Sequence, residues 1–597
     1  MIPINILKYY TFCKLRKYKV IFVDYFDTVC FRRIHSFQMH RQWVVSMLRK
    51  YPCLESIGVE KLVSLRNQAS SQLHKIYTEP SYSQLISCFY DLVDGASYSI
   101  NKQDFISASE QIETAVEIGT QYANKWLVEV LRKLKEDGKK IYLVSDFHLG
   151  KESYSKFLVH IACEDLFDGV FISADLNKSK RRGDLYQYVI RELELSPSDV
   201  VMIGDSKTSD VFNARTANIN AYWYFPFFNK IKTNYRRITN YDFSRRIIEK
   251  ELNQYRKRPY FEEYVVNWVY FSQTLRHAAL NDNAGQLAFL ARGGYFLKKI
   301  FDKFQYLTTP AEETIITKYC INSRRVNVAA KNDTNAKNVL TKYMCEFLHN
   351  DKLYVVDEGW NCSSQKNLTA ILGIDTIGYY IGTIKNDQYN ETDNKCIRKG
   401  LVFSTEEDGT HSKYYGILRS NLSMYEQMLT SSDGSLVEYD VSETGDVVFQ
   451  TVKNDMECYL YETYIGSLQK RMLIDFEGLT VWQNDQGIKL KQLAKIVLRM
   501  NLFANHKRCL FLNDLDKNMF SNLGNPVGAK VNKYKPASIK DARINPVTFL
   551  FWPDAYAGMF CKLQRKLDDN VALRLIYYPF GICYYFYTYL LTFVLRK

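Results

Sequence analysis

The chain lacks any Cys-x-x-Cys pair. Its 13 cysteines are scattered and odd in number, so neither a disulfide framework nor a zinc site is suggested, and reduced thiols in the cytosol are expected. The first residues, Met1-Ile-Pro-Ile-Asn-Ile-Leu-Lys8, show no apolar core followed by a small-residue cleavage site, which argues against a secretory signal. Internal repeats and low-complexity tracts are absent too. The basic residues form no recognisable nucleic-acid module, so nucleic acid is not an expected partner. What is abundant is aromatic surface, with 45 Tyr and 35 Phe, and positive charge: a net +14 favours an anionic partner, without choosing among lipid, nucleic acid and phosphorylated or acidic sugar. At 597 residues the chain exceeds what one core serves, so about two to four domains are expected.

From about residue 15 to 225 short β-rich runs alternate with helical stretches. Strands are expected at Val20 to Val23, Ile141 to Val144, Val170 to Ile172, Val200 to Ile203 and Ala221 to Tyr224. That alternation predicts an α/β fold with a mostly parallel sheet covered by helices on both faces. Between the first two runs, Ser36 to Tyr51, Gly58 to Ile76, Tyr82 to Leu92, Asn101 to Ile118 and Ala123 to Glu136 read as helices from apolar residues at three and four spacing. They are expected to form a lid, within a cap insert of about 31–138, over the sheet edge.

Ligands of open α/β sheets sit beyond the carboxyl ends of the strands. Asp24, Ser145 and Asp205 all fall at or just after such an end, which gathers them despite their separation in sequence. A strand-end carboxylate near a cation can attack phosphorus, dividing the transfer into two easier displacements. Asp24 is the candidate nucleophile, with Ser145 supplying a hydroxyl and Lys180 a point charge. The phosphoryl charge must be offset by a metal and fixed donors. Asp24, Asp205 and the backbone carbonyl of Phe26 offer the all-oxygen set that suits Mg2+, and Asp210 is placed to hold the ion through water.

This ordered set resembles the four motifs of the haloacid dehalogenase (HAD) superfamily. They are Asp24-Tyr-Phe-Asp-Thr28, Ser145, Ser179-Lys180-Arg-Arg-Gly-Asp-Leu-Tyr186 and Gly204-Asp205-Ser-Lys-Thr-Ser-Asp210. The resemblance implies a Rossmann-like core, a helical cap between the first two motifs and an aspartyl-phosphate mechanism. Lys178 competes with Lys180, and the spacing from Lys180 to Tyr186 is the one that resembles the superfamily. One position departs from its phosphatases: two residues after the nucleophile they usually carry a second Asp as acid and base, whereas here stands Phe26, with Asp27 one residue further on. The superfamily's dehalogenases also carry an aromatic there.

Residues 226–262 form a basic connecting region, readable as a solvated helical face or as an anion-binding patch. A second α/β or α+β domain is expected over 263–545, with strands at Ala288 to Ala291, Leu353 to Val356 and Ile377 to Ile381, and a hairpin of Ser435 to Val441 with Val447 to Val452. Ser363 and Ser364, between a strand and a helix, are read as an N-cap and anion site that Arg324 and Arg325 could share. The segments Phe289-Leu-Ala-Arg-Gly-Gly-Tyr-Phe296, Asn322-Ser-Arg-Arg325 and Val356-Asp-Glu-Gly-Trp360, taken with the first motif, resemble long bacterial HAD-type proteins found with surface-polysaccharide genes. In that group the first of these more often reads Arg-Asp-Gly, so Gly293 departs from it.

The tail 546–597 ends in the uncharged stretch Leu575 to Leu595, long enough for a bilayer span but rich in Tyr and interrupted by Pro579 and Gly581. An interfacial anchor is favoured over a core or partner helix and over a span. The expected protein is therefore a cytoplasmic enzyme, peripheral at the inner face of the cell membrane, that uses Mg2+ to hydrolyse or transfer phosphoryl groups of a phosphorylated sugar in capsule or lipopolysaccharide assembly. The alternative is a non-hydrolytic HAD module that binds a phosphorylated ligand, fused to a glycosyl or sugar-phosphate transferase-like domain.

Overall fold

The computed structural model describes residues 4–226 except 35, residue 229, residues 264–384, 395–405, 412, 414–419, 422–453 and 455–482, and a few positions up to 497. Nearly all of the basic stretch 226–262, and the whole tail 546–597 with Leu575 to Leu595, lie outside the described residues. Among those described, no helix is long and apolar enough to cross a membrane. The chain divides into two compact units, one of Met1–Ile247 with Tyr306–Glu312 and Glu477–Trp482, the other of Ile248–Gln305, Glu313–Phe476 and Gln483–Lys597.

The first unit is built on β1 (Val20–Val23), whose four residues are all buried, as expected of a parallel strand covered on both faces. It pairs in parallel with β4 (Lys140–Ser145) on one side and β6 (Val200–Gly204) on the other. With β5 (Gly169–Ile172) and β7 (Asn220–Trp223), the sheet order is β5-β4-β1-β6-β7. The chain builds outward from β1 to one side and then crosses to the other. The reversal places a crevice at the carboxyl end of β1. Phe22, Val144, Tyr186, Val189 and Met202 form part of the core that anchors the sheet.

Two strands absent from the sequence reading, β2 (Cys30–Arg32) and β3 (Gln121–Ala123), pair antiparallel at the base of the helical insert. Three residues each are too short to show a period. Above them rise helices Ser36–Lys50, Val59–Leu73, Tyr82–Leu92 and Lys102–Ile118. Tyr82–Leu92 begins with a reciprocal capping box of Ser81 and Gln84. The insert has a core of its own, in which Trp43 meets Phe89 at 5.3 Å between ring centroids and Phe105 is fully buried.

The second unit holds β8 (Gln286–Leu290), β9 (Ile316–Cys320), β10 (Leu348–His349), β11 (Lys352–Asp357), β12 (Thr376–Gly382) and β13 (Cys396–Phe403). Its main order is β13-β12-β11-β8-β9, all parallel, with β10 antiparallel to β11. A separate hairpin joins β14 (Ser435–Val441) to β15 (Val447–Val452). Gly445 takes the positive φ of 85° that its turn requires.

Candidate active site

Where β1 stops, the Asp24 N–H still bonds the Ile203 carbonyl at 2.9 Å, so Asp24 is held at the crevice between β1 and β6. The chain then turns sharply. Asp27 adopts φ 55°, a left-handed conformation that Asp tolerates better than most residues, and the Cys30 N–H closes the turn onto the Tyr25 carbonyl at 2.8 Å.

Lys180 reaches the same point from the loop before helix Asp184–Glu192. That loop is fixed from two sides. The N–H groups of Lys180 and Arg181 donate to the two oxygens of Asp146 at 2.8 and 3.2 Å, and Asn213 donates to the carbonyls of Lys180 and Arg181 at 3.0 and 2.7 Å. So positioned, the Lys180 ammonium donates to Asp24 Oδ1 at 2.5 Å and to Asp210 Oδ1 at 2.7 Å. The other oxygen of Asp210 accepts from the Ser206 N–H at 2.9 Å. Gly204 makes room for it, since a Cβ there would lie 2.2 Å from Asp210 Oδ2. Ser145, the last residue of β4, is buried and accepts a hydrogen bond from the Tyr154 hydroxyl at 3.0 Å. Lys178 lies elsewhere, 5.9 Å from the ring of Tyr188.

Carboxylate oxygens of Asp24, Asp205 and Asp210 all lie within 4.8 Å of one another, so three acids face one ammonium. Burial pushes the Asp24 carboxyl up to about 8; Asp210 and Asp205 add to the rise, and Lys180 only partly offsets it. Burial acts against the charge of Lys180 as well, but Asp210 and Asp24 outweigh it and hold the ammonium well above its usual range. Hard oxygen donors with uncompensated negative charge form a set that fits Mg2+.

Phe26 puts an apolar face two residues after Asp24. Its ring lies 4.6 Å from that of Phe147, and the Arg32 guanidinium sits 3.7 Å from its centroid. Arg32 is in turn forked onto Glu117 through two 2.8 Å bonds. Asp27 accepts from Asn229 at 3.3 Å. Asp146, Asn213, Tyr154 and Arg32 were not read as site residues. Asp146 had a signal, a charge immediately after strand-end Ser145; the others become neighbours only through the fold.

In the second unit Arg324 and Arg325 are exposed at the start of helix Arg324–Asn332, which Ser323 caps through a 3.3 Å bond from the Val326 N–H. Ser363 and Ser364 form the first turn of helix Ser363–Leu372, and the cap is Cys362, left-handed at φ 55° with no side-chain cap bond. This corrects the expected N-cap: the left-handed Cys362 turns the chain one residue earlier. Among the described residues no hydrogen bond joins either arginine to Ser363 or Ser364.

The sheet reverses instead between β8 and β11, where Asp357 and Glu358 lie. Burial pushes Asp357 up to about 7, and burial, Asp357 and Glu426 hold Glu358 well above the usual carboxylate range. Trp360 Nε1 donates to Glu426 at 2.7 Å.

The first unit thus presents a doubly wound α/β core with a capped, acid-lined crevice at its central strand. Residues 62–224 match the family model of haloacid dehalogenase-like hydrolases. The first unit thus carries a HAD-like hydrolase domain. No curated protein matches the chain. Among solved structures it is similar to a 2-haloacid dehalogenase from Pseudomonas syringae pv. Tomato DC3000, at 17% identity over 35% of this chain and 86% of that one, with a TM-score of 0.28. It is similar also to the HAD-hydrolase YfnB from Bacillus subtilis, bound to magnesium, at 14% identity over 35% and 86% of the two chains, with a TM-score of 0.25.

Proposed function

We propose that the first unit is a Mg2+-dependent phosphohydrolase or phosphotransferase that works through an aspartyl-phosphate on Asp24. The observation that carries this reading is the Lys180 ammonium shared between Asp24 and Asp210, with the carboxylates of Asp24, Asp205 and Asp210 within 4.8 Å. Three carboxylates around one cation would repel an anionic substrate, so the site needs a further cation before a phosphate can approach. Asp24, Asp205, the Phe26 carbonyl and, through water, Asp210 would hold Mg2+, which neutralises phosphoryl charge when bound.

Around that ion each side chain has a task. Asp24 presents the attacking oxygen, Lys180 orients it and offsets charge on the phosphoryl group, and Ser145 supplies a hydroxyl to a phosphoryl oxygen. A phosphorylated sugar of surface-polysaccharide assembly, handled on the cytoplasmic side of the membrane, is the substrate class that the resemblance of the first motif and three second-half segments supports. A glycosyl or sugar-phosphate transfer by the second unit belongs to the alternative in which the first unit binds phosphate without turning it over.

Phe26 favours a second reading, a phosphate-binding module that does not turn over, because acid and base help at that position contributes about 100-fold to 10,000-fold. A screen of sugar phosphates with Mg2+, run on the parent and on Asp24→Asn, separates the two. Turnover by the parent that disappears in the variant is expected. Equal turnover in both would sink the nucleophile assignment, and binding without turnover in either would establish the module.

A further inference from the structure

The loop after β4 places a histidine one ring removed from Phe26, the residue that stands at the missing acid's position. Phe147 meets Phe26 at 4.6 Å between ring centroids, and the next residue, His148, meets Phe147 at 4.2 Å. His148 Nε2 lies 2.6 Å from Glu113 Oε1 on the cap helix Lys102–Ile118. Glu113 is 4% exposed and also accepts from the Tyr82 hydroxyl at 2.7 Å and from Arg66 at 3.2 and 3.3 Å. Burial works against its charge, but Arg66, His148 and His40 outweigh it and hold the carboxyl well below its usual range. Glu113 engages Nε2 of His148, which leaves Nδ1 as the ring nitrogen that this carboxylate does not hold.

The other groups facing His148 are the Tyr82 ring, stacked at 6.1 Å, and the His40 ring at 6.5 Å. Burial lowers His40, so it does not compete for the proton. Arg66 and Tyr82 would by themselves complete a structural cluster on Glu113. His148 belongs to a different part: it sits three residues after Ser145 and two after Asp146, which holds the Lys180 loop, and its side chain keeps 24% of its surface exposed.

We infer that His148 is the proton-transfer group of the Asp24 site, with Glu113 as its positioning residue, in place of the carboxyl that Phe26 lacks. The inference rests on the phosphoryl-transfer reading. In the first displacement an Asp24 oxygen bonds to phosphorus as the bond to the leaving oxygen breaks, and the imidazolium of His148 gives that oxygen its proton. In the second, neutral His148 takes a proton from water as the water oxygen bonds to phosphorus; the bond to Asp24 breaks, phosphate leaves and the imidazolium is restored.

Full-length protein with Mg2+ is assayed on p-nitrophenyl phosphate, whose leaving group needs little protonation, and on phenyl phosphate, whose leaving group needs more. Comparison is by kcat/KM, which reports steps up to release of the phenol. H148Q is expected to lose about 100-fold to 10,000-fold on phenyl phosphate and far less on p-nitrophenyl phosphate, so the ratio of the two changes. The activity left on p-nitrophenyl phosphate reports an intact fold. E113Q removes the carboxylate that orients the imidazole, and should change the ratio of the two substrates in the same sense as H148Q, with E113D restoring part of it.

Equal losses on both substrates, or no loss, would overturn the inference. So would the same change of ratio in E79Q and not in H148Q, because burial and Asp146 push the Glu79 carboxyl up to about 7 on a cap loop beside the same site. A parent inactive on both substrates would overturn the phosphoryl-transfer reading and this inference with it.

Discussion

Asp24 is an acid whose charge the folded site disfavours, and that has a consequence for stability. Its carboxyl is pushed from 3.8 up to about 8 in the folded chain, chiefly by burial. A raised carboxyl pKa means that folding prefers the neutral form, so the destabilisation is absent below the unfolded value and grows as pH climbs towards 8. Asp24→Asn removes that cost while Lys180 keeps Asp210 at 2.7 Å. Denaturant unfolding of Mg2+-free protein should therefore show the variant gaining on the parent by a few kcal/mol between pH 5 and about 8. A variant that loses stability over that interval would show that Lys180 already balances Asp24 fully.

At the scale of elements, the arrangement depends on strand ends falling level. β1 registers with β4 and β6 so that Val23 lies beside Leu143 and Ile203. Gly204 then lets the Asp210 carboxylate approach the end of β6. Gly204→Ala should displace Asp210 and cost about 1–3 kcal/mol of stability. It should also weaken any Mg2+ response of thermal stability, which calorimetry with and without the ion would read; an unchanged response would remove Asp210 from the metal's surroundings.

Much of this scaffold was legible because it is periodic. β1, helix Tyr82–Leu92 and both strands of the β14–β15 hairpin have the limits expected from alternation, apolar spacing and turn residues. β2 and β3 escaped because three residues carry no period, and β9 because Ile316–Cys320 is exposed at one end and only partly buried in the middle. The site was legible in part for a related reason. Acids and a lysine at strand ends and loops announce themselves, as Asp24, Lys180, Asp205 and Asp210 did. Asn213 reaches the Lys180 loop, and Glu113 reaches His148, only through contacts 32 to 35 residues apart, and no local pattern records those.

For the molecule as a whole, charge and site are opposite in sign. The chain carries a net +14, which favours the approach of anions, yet the crevice gathers three carboxylates around one ammonium. Long-range attraction and local repulsion can both serve an anionic substrate if a cation stands between, which is the role given to Mg2+. The two units each place buried or partly buried acids where a parallel sheet reverses, at β1 in one and between β8 and β11 in the other. Among the described residues, only the first adds a lysine bonded to two of those acids.

The central claim is that Asp24 becomes phosphorylated. Full-length protein mixed with Mg2+ and p-nitrophenyl phosphate, quenched in acid and digested, should yield one phosphoryl group on the peptide that contains Asp24, and none from Asp24→Asn. Turnover with no label on that peptide, or a label that survives Asp24→Asn, would contradict it.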